Sequence, residues 1–304
     1  MSVAPSGKDG MPDDGMPRDG MSRDIRIPVP RDRFVLLHYH LFKNAGSTVD
    51  FALRRSFGAG FADFHGDHDD AVLLAEDAVA LVRAEPDIVA ISSHHLRHPR
   101  PQARGFVFFD LWFARHPLAR IRSLYHYGRR LGPAHWLGQL AEAHEEAGFV
   151  AHLLEHLPHM LTDVQINHLV NGGAFARAAG AHDLERARLR LAEMSAPGVV
   201  ELFDESLVAA EFFLRPAFPA LDLAYVAQNV SAPEGPRPSG DDALPERCRA
   251  LWGADSFEAV LALNRHDLAL HAAAREEVLR RLHMLPRHAE RLAAFRARCR
   301  ALAA

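Results

Sequence analysis

The chain has 304 residues, of which 48% are hydrophobic and 24% charged, and this composition excludes a collagen-like, coiled-coil or wholly disordered protein. No apolar run approaches the roughly 18 residues of a membrane-spanning helix, so no such helix is predicted. The formal charge of −4 gives no overall reason to expect nucleic-acid binding. Cys248 and Cys299 lie far apart and no secretory signal pattern is visible, so we expect a cytoplasmic protein.

Composition divides the chain into two regions. Residues 1–30 consist largely of Gly, Pro, Asp, Met and Ser, which predicts a disordered N-terminal leader. Residues 31–304 show the pattern of a single α/β domain, because short apolar runs alternate with amphipathic segments.

The predicted elements follow in chain order. Strands are expected at 34–39, 88–92, 107–114 and 198–203. Helices are expected directly after residue 48, across 70–85 and from Pro117, where proline is favoured in the first helical turn. Two helical faces are predicted to be buried: Val49, Ala52, Leu53, Ser56 and Phe57, and then Leu118, Ile121, Leu124 and Tyr125.

The predicted secondary structure changes in the later part of the chain. Beyond about residue 134 it is predicted to be mostly helical, with a polar loop at 233–245. The sequence therefore predicts a three-layer α/β fold with a central, mainly parallel sheet flanked by helices. Its beginning is P-loop-like, and its C-terminal half is rich in helices.

The segment that joins the first strand to the first helix is suited to bind a phosphate. A helix N-terminus presents unpaired N–H groups and the positive end of the helix dipole. A lysine adds a full charge, a glycine lets the backbone approach an anion, and two hydroxyl groups follow. The residues of this loop are Lys43, Asn44, Ala45, Gly46, Ser47 and Thr48. The lysine precedes the glycine, unlike in GxxxxGK[ST], and the alternative interpretation is a capped helix start with a surface lysine.

A second basic segment follows the third predicted strand. Arg115 closes this strand, and Ser123 lies two turns into the next helix. An arginine at the carboxyl end of a strand, with a serine nearby, can form a fork for a second phosphate. Arg120, Ser123 and Tyr127 share one helix face, and in the alternative interpretation this is a solvated basic face.

Two histidines follow the second predicted strand. Ligands of open α/β sheets bind beyond the carboxyl ends of the strands, which places His94 and His95 on the same edge as Lys43 and Arg115. A histidine at this edge is suited to act as a general base near neutral pH. The segment 65–70, rich in His and Asp, has no recognised metal-ligand spacing, and we interpret it as a solvated loop.

Taken in order, these three segments resemble the sulfotransferases that use 3′-phosphoadenosine 5′-phosphosulfate (PAPS), in the branch of the heparan and chondroitin sulfotransferases. That family shows a loop of the type PKxGGTS, a histidine after a later strand, and then RDPxxRxxSxYxY. The corresponding segments here are Phe42–Thr48, His94 and Arg115–Tyr127. Weaker similarity lies at 163–173, 228–231 and 263–270, so the resemblance spans about residues 34–285.

The resemblance implies a role for each matching residue. The loop at 43–48 would hold the 5′-phosphosulfate, and Arg115 and Ser123 would hold the 3′-phosphate of PAPS. His94 would take the proton from an acceptor hydroxyl, with His95 as the alternative base. The lysine of the loop would neutralise charge on the departing phosphate, and the resemblance implies no metal.

The sequence departs from the family pattern at two places. Leu41-Phe42 replaces Ile-Pro, and His116 replaces the aspartate that follows the arginine, and neither position is expected to make a decisive phosphate contact. The resemblance implies a bacterial-type member that acts on a small-molecule or carbohydrate acceptor. Two other functions stay open from the sequence: a P-loop-type kinase that uses ATP, and a non-catalytic nucleotide-binding relative.

Overall fold

The computed structural model describes residues 32–68, 70–172, 178–228 and 243–304. The leader predicted at 1–30 lies outside these ranges, and so does most of the loop predicted at 233–245. Within the described ranges, no helix is both long and apolar enough to cross a membrane.

A five-stranded parallel sheet forms the centre of the fold. Its strands are β1 (Arg33–Tyr39), β2 (Phe61–Asp63), β3 (Ala90–Ser93), β4 (Phe106–Ala114) and β5 (Ala196–Val199). They lie in the order β2-β3-β1-β4-β5, and every pair of neighbours is parallel. Strands that are covered on both faces carry nearly continuous apolar sequences, which explains the apolar runs of β1 and β4.

Helices cover both faces of the sheet. They are α1 (Gly46–Phe57), α2 (Ala75–Ala84), α3 (Pro117–Leu131), α4 (Trp136–Ala143), α5 (Glu146–His156), α6 (Val164–Val170), α7 (Ala181–Glu193), α8 (Phe203–Leu214), α9 (Ala243–Trp252), α10 (Ala254–Leu263), α11 (Arg265–Met284) and α12 (His288–Ala303). One apolar layer contains residues of α2, α6, α7 and α11, and the opposite layer contains residues of α1, α8 and α12. Residues of α3, α4, α5, α9 and α10 form a third apolar cluster. The predicted three-layer α/β fold is confirmed.

The two predicted helical faces are largely confirmed. In α1, Val49, Ala52 and Leu53 are buried, whereas Ser56 and Phe57 are half-buried. The four apolar residues predicted to face the core from α3 are all buried: Leu118, Ile121, Leu124 and Tyr125.

Four details of the fold differ from the prediction. The helix predicted across 70–85 begins only at Ala75. The strand predicted at 198–203 ends at Val199, because the chain turns into a 3-10 helix and α8 begins at Phe203. Strand β2 was not predicted, since three residues carry no readable periodicity. The loop predicted at 233–245 is wrong at its end, because α9 begins at Ala243 and has Pro245 in its first turn.

The three segments predicted to carry chemistry begin at one edge of the sheet. Strand β1 ends at Tyr39, β3 at Ser93 and β4 at Ala114. Tyr39 pairs with Ser93, and β1 lies between β3 and β4. The loop after β1 therefore lies between the segments that follow the other two strands, which is where open parallel sheets bind ligands.

Candidate functional site

The loop after β1 contains two residues in the left-handed backbone region. Lys43 has a φ of 68° and Ala45 a φ of 62°, values that are uncommon for residues other than glycine. The first hydrogen bond of α1 runs from the N–H of Thr48 to the oxygen of Ala45, at 3.1 Å. The N–H groups of Gly46 and Ser47 precede this bond, so they have no acceptor within the helix, as an anion site requires.

Glycine is required at the start of α1 because a histidine ring packs against it. A Cβ atom on Gly46 would overlap Cδ2 and Nε2 of His40. His40 is buried, and it follows β1 directly. The sequence suggested that this glycine allows an anion to approach; the structure shows that it also makes room for His40.

The ammonium group of Lys43 lies against aromatic rings. Its Nζ atom is 4.0 Å from the centroid of the Tyr127 ring in α3 and 5.5 Å from that of Phe42. Burial, followed by the charges of Arg130 and Arg115, lowers the pKa of Lys43 to about 7. A bound anion would favour the charged form, so the protonation of Lys43 is sensitive to a ligand at the loop.

Arg115 reaches from the end of β4 to this loop. Its Nη1 atom donates a hydrogen bond to the backbone oxygen of Lys43, at 2.7 Å. The two residues are 72 positions apart in the chain, and the fold brings the two predicted phosphate segments into direct contact. Burial lowers the pKa of Arg115 while the Glu201 carboxylate raises it, and a guanidinium stays protonated in such surroundings.

Gln165 in α6 joins these two segments. Its side-chain oxygen accepts hydrogen bonds from the N–H of Arg115 at 2.8 Å and from Nδ2 of Asn44 at 3.0 Å. Its Nε2 atom donates to the oxygen of Arg115 at 2.8 Å. Asn44 also donates to the oxygen of Phe113, at 2.7 Å. The Asn44 amide, predicted among the nucleotide-binding groups, is therefore buried inside the protein and holds the loop in place.

Two aspartates cap the helices that carry Gln165 and its neighbours. Asp267 in α11 accepts hydrogen bonds from the N–H groups of Gln165 and Ile166 in α6, at 2.9 and 2.8 Å. Asp163 precedes α6 and accepts from the N–H groups of His266 and Asp267, at 3.2 and 3.0 Å. Each helix start is thus capped by an aspartate attached to the other helix. Burial raises the pKa of Asp267 to about 6, although the two backbone hydrogen bonds oppose this shift.

The two hydroxyl residues of the loop have different environments. Ser47 is exposed, so its hydroxyl is accessible to a ligand. Thr48 is buried, and its Oγ1 atom accepts a hydrogen bond from the N–H of Gln228 at 3.1 Å. Thr48 therefore connects α1 to the chain near residue 228, and a ligand would share its hydroxyl with that contact.

The predicted face of α3 has two parts with different surroundings. The part with Ser123 and Tyr127 lies near the loop, whereas Arg120 lies in the protein interior. Ser123 lies one turn before Tyr127, whose ring contacts the ammonium of Lys43. Arg120 is buried, and its Nη2 atom donates to the oxygen of Met160 at 2.8 Å. The alternative interpretation of this face as solvated is wrong at Arg120.

His94 lies just beyond β3 with one ring nitrogen engaged. Its Nδ1 atom is 2.9 Å from the backbone oxygen of His40, and because a carbonyl oxygen only accepts, the proton is on Nδ1. The lone pair is then on Nε2, as a general base requires. The rings of His40 and His65 lie 3.7 and 5.2 Å away. Burial, with the neighbouring His40 and His65, lowers the pKa of His94 to about 3, so the imidazole is neutral near pH 7.

Phe42 connects His94 to the lysine side of the site. Its ring centroid is 6.5 Å from that of His94 and 5.3 Å from that of Tyr127, the ring that Lys43 contacts. Phe42 is 38% exposed, so this aromatic surface is open to solvent. The predicted Lys43 and His94 therefore both lie near one exposed ring.

The neighbouring His95 and the residues His65 and Gly66 also belong to this edge. Nδ1 of His95 accepts the N–H of Gly66 at 2.8 Å, which commits this nitrogen to the loop. His65 contacts Asp63 through Nε2 at 2.8 Å and accepts the N–H of His94 through Nδ1 at 3.4 Å. His65 is exposed, as expected for a solvated loop, and its ring also stacks on that of His94.

Three described side chains offer ligand atoms within 4.8 Å of one another: His38, His40 and Asp50. One oxygen of Asp50 lies 2.9 Å from Nδ1 of His38, and the other lies 2.8 Å from Nδ1 of His40. The two rings are nearly parallel, at 19°, and each Nδ1 atom lies near a different oxygen of the carboxylate. We describe these three residues as a carboxylate–imidazole network. The expectation that no metal is used stays a prediction.

Comparison with known proteins adds one relative. No family model matches the sequence. The chain is similar to an uncharacterized protein of Archaeoglobus fulgidus, with 29% identity over 252 residues that cover 79% of this chain and 95% of that protein. Because the relative is itself uncharacterized, the similarity assigns neither a family nor an activity to this chain.

Several residues that build the site were not found from the sequence. Gln165 and Asp267 act through contacts more than 45 positions away in the chain, which no local pattern reveals. His38 lies in β1 and His40 directly follows this strand, so the two alternate with Tyr39, and Asp50 lies one turn into the next helix. That spacing is a signal that could have indicated the network.

Proposed function

We propose that this protein transfers a sulfuryl group from PAPS to a hydroxyl group of an acceptor. The observation that carries the proposal is the 2.7 Å contact between Arg115 and the backbone of Lys43, which places two cationic residues at a helix start with unpaired N–H groups. A donor with phosphate groups at two positions needs two such cationic points. The resemblance of the sequence to PAPS-dependent sulfotransferases supplies the identity of the donor.

In the proposed complex, the 5′-phosphosulfate lies at the start of α1. The N–H groups of Gly46 and Ser47 donate to its oxygens, and the ammonium of Lys43 moves from the Tyr127 ring to the anion. Arg115 uses its remaining N–H groups for the 3′-phosphate, with the hydroxyl of Ser123 as a second donor. The same guanidinium thereby holds both the loop and the nucleotide.

The transfer step is a substitution at sulfur. The acceptor oxygen forms a bond to sulfur as the bond between sulfur and the 5′-phosphate oxygen breaks, and that electron pair leaves with the phosphate. The acceptor proton moves to Nε2 of His94, the nitrogen that carries the lone pair when Nδ1 donates to the oxygen of His40. Lys43 stabilises the negative charge that develops on the departing phosphate. The products are the sulfated acceptor, 3′-phosphoadenosine 5′-phosphate and a proton on His94.

The class of acceptor follows from the resemblance and is a carbohydrate or a sugar-bearing metabolite. The exposed ring of Phe42 lies beside His94, where such an acceptor would present its hydroxyl. The cytoplasmic location expected from the sequence stays a prediction.

The proposal is tested by following release of 3′-phosphoadenosine 5′-phosphate from PAPS, first with water and then with mixtures of saccharides as acceptors. His94→Gln keeps the size of the side chain but removes the base, and we expect the rate to fall by about 10²-fold or more. The matched variant His95→Gln should keep its rate within about threefold, because its nitrogen faces Gly66. Equal loss in both variants would contradict the assignment of the base.

A P-loop-type kinase and a non-catalytic binding protein give different results in the same experiment. A kinase would consume ATP with Mg²⁺ and leave PAPS intact. A binding protein would retain the nucleotide and release no product. Either result would overturn the proposed transfer.

A further inference from the structure

His40 connects the proposed base to the donor loop. Its backbone oxygen accepts the hydrogen bond from Nδ1 of His94 at 2.9 Å, and its ring centroid lies 3.7 Å from the His94 ring. The same ring packs against Gly46 at the start of α1. A displacement of His40 would therefore move both the base and the first residue of the anion site.

The carboxylate of Asp50 lies next to the ring of His40. One carboxylate oxygen is 2.8 Å from Nδ1 of His40, and the other is 2.9 Å from Nδ1 of His38. Both histidines are almost fully buried, and the side chain of Asp50 is 16% exposed. Burial alone would raise the pKa of Asp50, but its contacts with the two imidazoles hold that pKa well below its usual range. Asp50 therefore stays negatively charged next to the imidazole rings of His38 and His40.

The proton transfer described above creates a positive charge on His94. The titratable and charged groups around this ring are His40, His65, Asp50, His168 and Arg97, and Asp63 lies beyond His65. His40 and His65 disfavour the charged form of His94, whereas Asp50 favours it. Asp50 is thus placed to balance the charge that forms during transfer.

We propose that Asp50 is a positioning residue for the transfer, which acts through His40 to keep the proton of His94 on Nδ1 and the Nε2 lone pair toward the acceptor. The carboxylate also compensates the imidazolium that forms when the acceptor proton arrives. This inference rests on the proposed function, because it assigns Asp50 a part in that step. This arrangement resembles the triad of a hydrolase, in which one group orients the base and a further group holds the orienting group. Here the base is His94, the orienting group is the backbone oxygen of His40, and the further group is Asp50.

The experiment compares the full-length wild type with Asp50→Asn, using ¹⁵N spectra of the histidine rings and the rate of product release from PAPS. In the wild type at pH 7, His94 is expected to carry its proton on Nδ1, with the signal assigned by its loss in His94→Gln. In Asp50→Asn we expect a mixture of the two tautomers and a rate lowered by about 10- to 100-fold. Affinity for 3′-phosphoadenosine 5′-phosphate should change by less than about threefold, because the variant leaves the two cationic residues in place.

Asp63→Asn is the matched control. Asp63 also contacts a histidine that stacks on His94, namely His65, but Asp63 is exposed and makes no hydrogen bond or ion pair with His40. We expect its rate to stay within about twofold of the wild type and its His94 tautomer to be unchanged. If Asp50→Asn does not fold, Asp50→Glu shifts the carboxylate by one methylene and should still give a mixed tautomer and a rate lowered by about 3- to 10-fold.

Three results would overturn the proposal. The first is an unchanged tautomer and rate in Asp50→Asn. The second is an equal loss in Asp63→Asn, which would indicate a general charge effect. The third is a stoichiometric zinc ion in the purified wild type that Asp50→Asn lacks, which would make the network a metal centre. Absence of product from the wild type would contradict the proposed function instead, and the tautomer measurement would still report whether Asp50 orients His94.

Discussion

The Nη1 atom of Arg115 donates a hydrogen bond to the backbone oxygen of Lys43 at 2.7 Å, although the two residues lie at the ends of different strands. Lys43 has a left-handed backbone, with a φ of 68°, and this contact helps to hold it there. Arg115 therefore has two roles in the account: it supports the loop and it contributes charge to the anion site. A substitution at Arg115 should affect both.

We expect Arg115→Ala to weaken binding of 3′-phosphoadenosine 5′-phosphate by about 10- to 100-fold, the range for loss of hydrogen bonds to a charged group. Titration calorimetry measures this directly. Arg104→Ala is the control, because Arg104 is exposed and lies at the opposite end of β4, just before it. Its affinity should match that of the wild type, and an equal loss there would indicate non-specific charge attraction.

Ligand binding should be coupled to protonation of Lys43. Burial and neighbouring arginines lower the pKa of this lysine to about 7, so above pH 7 most free molecules hold it neutral. A bound anion favours the ammonium, so binding must take up a proton, and affinity should fall as the pH rises from 7 to 9, by at most about tenfold per pH unit. Calorimetry over this range measures the effect.

Lys43→Arg provides the comparison for this pH dependence. A guanidinium stays charged throughout the range, so the variant should bind with little dependence on pH. A wild-type affinity that is constant between pH 7 and 9 would contradict the assigned environment of Lys43.

Gly46→Ala should destabilise the fold and disrupt the site together. The added Cβ would overlap the His40 ring, which is buried and also contacts the rings of His38 and His94. We expect a loss of about 1–3 kcal/mol in the free energy of unfolding, measured with urea, and loss of nucleotide binding. Gly180→Ala meets nothing closer than 3.8 Å and should change stability by less than about 0.5 kcal/mol. A stable Gly46→Ala variant with normal binding would show that His40 does not need its observed position.

Gln165→Leu should destabilise the protein through the contacts that join the two segments. Its side chain makes three hydrogen bonds, to the backbone of Arg115 and to Asn44, all in a buried place. Their loss leaves buried polar groups unpaired, which costs about 2–4 kcal/mol in unfolding free energy. Gln139→Leu, which removes an exposed amide that donates to Pro133, should cost less than about 0.5 kcal/mol. Similar stability of the two variants would contradict the structural role of Gln165.

The parts of the fold that could be predicted from the sequence are those with a strong local pattern. The apolar runs of β1 and β4 and the proline at the start of α3 indicated these elements within a few residues. Strand β2 has three residues and could not be recognised by periodicity. The register of the parallel strands depends on contacts between distant segments, which a single sequence does not display.

For the site as well, local sequence patterns were predictive and contacts between distant segments were not. Lys43, His94 and Arg115 were indicated because each follows a strand, and parallel strands share one carboxyl edge. The environment of each side chain was not predictable: the Tyr127 ring beneath Lys43, the His40 oxygen beside His94 and the Gln165 amide beside Arg115 come from the packing of other elements. Asn44 was predicted to face a ligand and instead lies in the interior, because its amide satisfies buried backbone and side-chain partners.

The central claim is that Lys43 and Arg115 together select a nucleotide with phosphates at both the 3′ and 5′ positions. Calorimetric titration of the purified protein with 3′-phosphoadenosine 5′-phosphate, beside ADP and ATP with Mg²⁺, tests it most directly. The account predicts that the 3′,5′-bisphosphate binds at least about tenfold more tightly than ADP, because ADP lacks the 3′-phosphate that Arg115 would hold. Equal binding of the two, or a preference for ATP with Mg²⁺, would contradict the account.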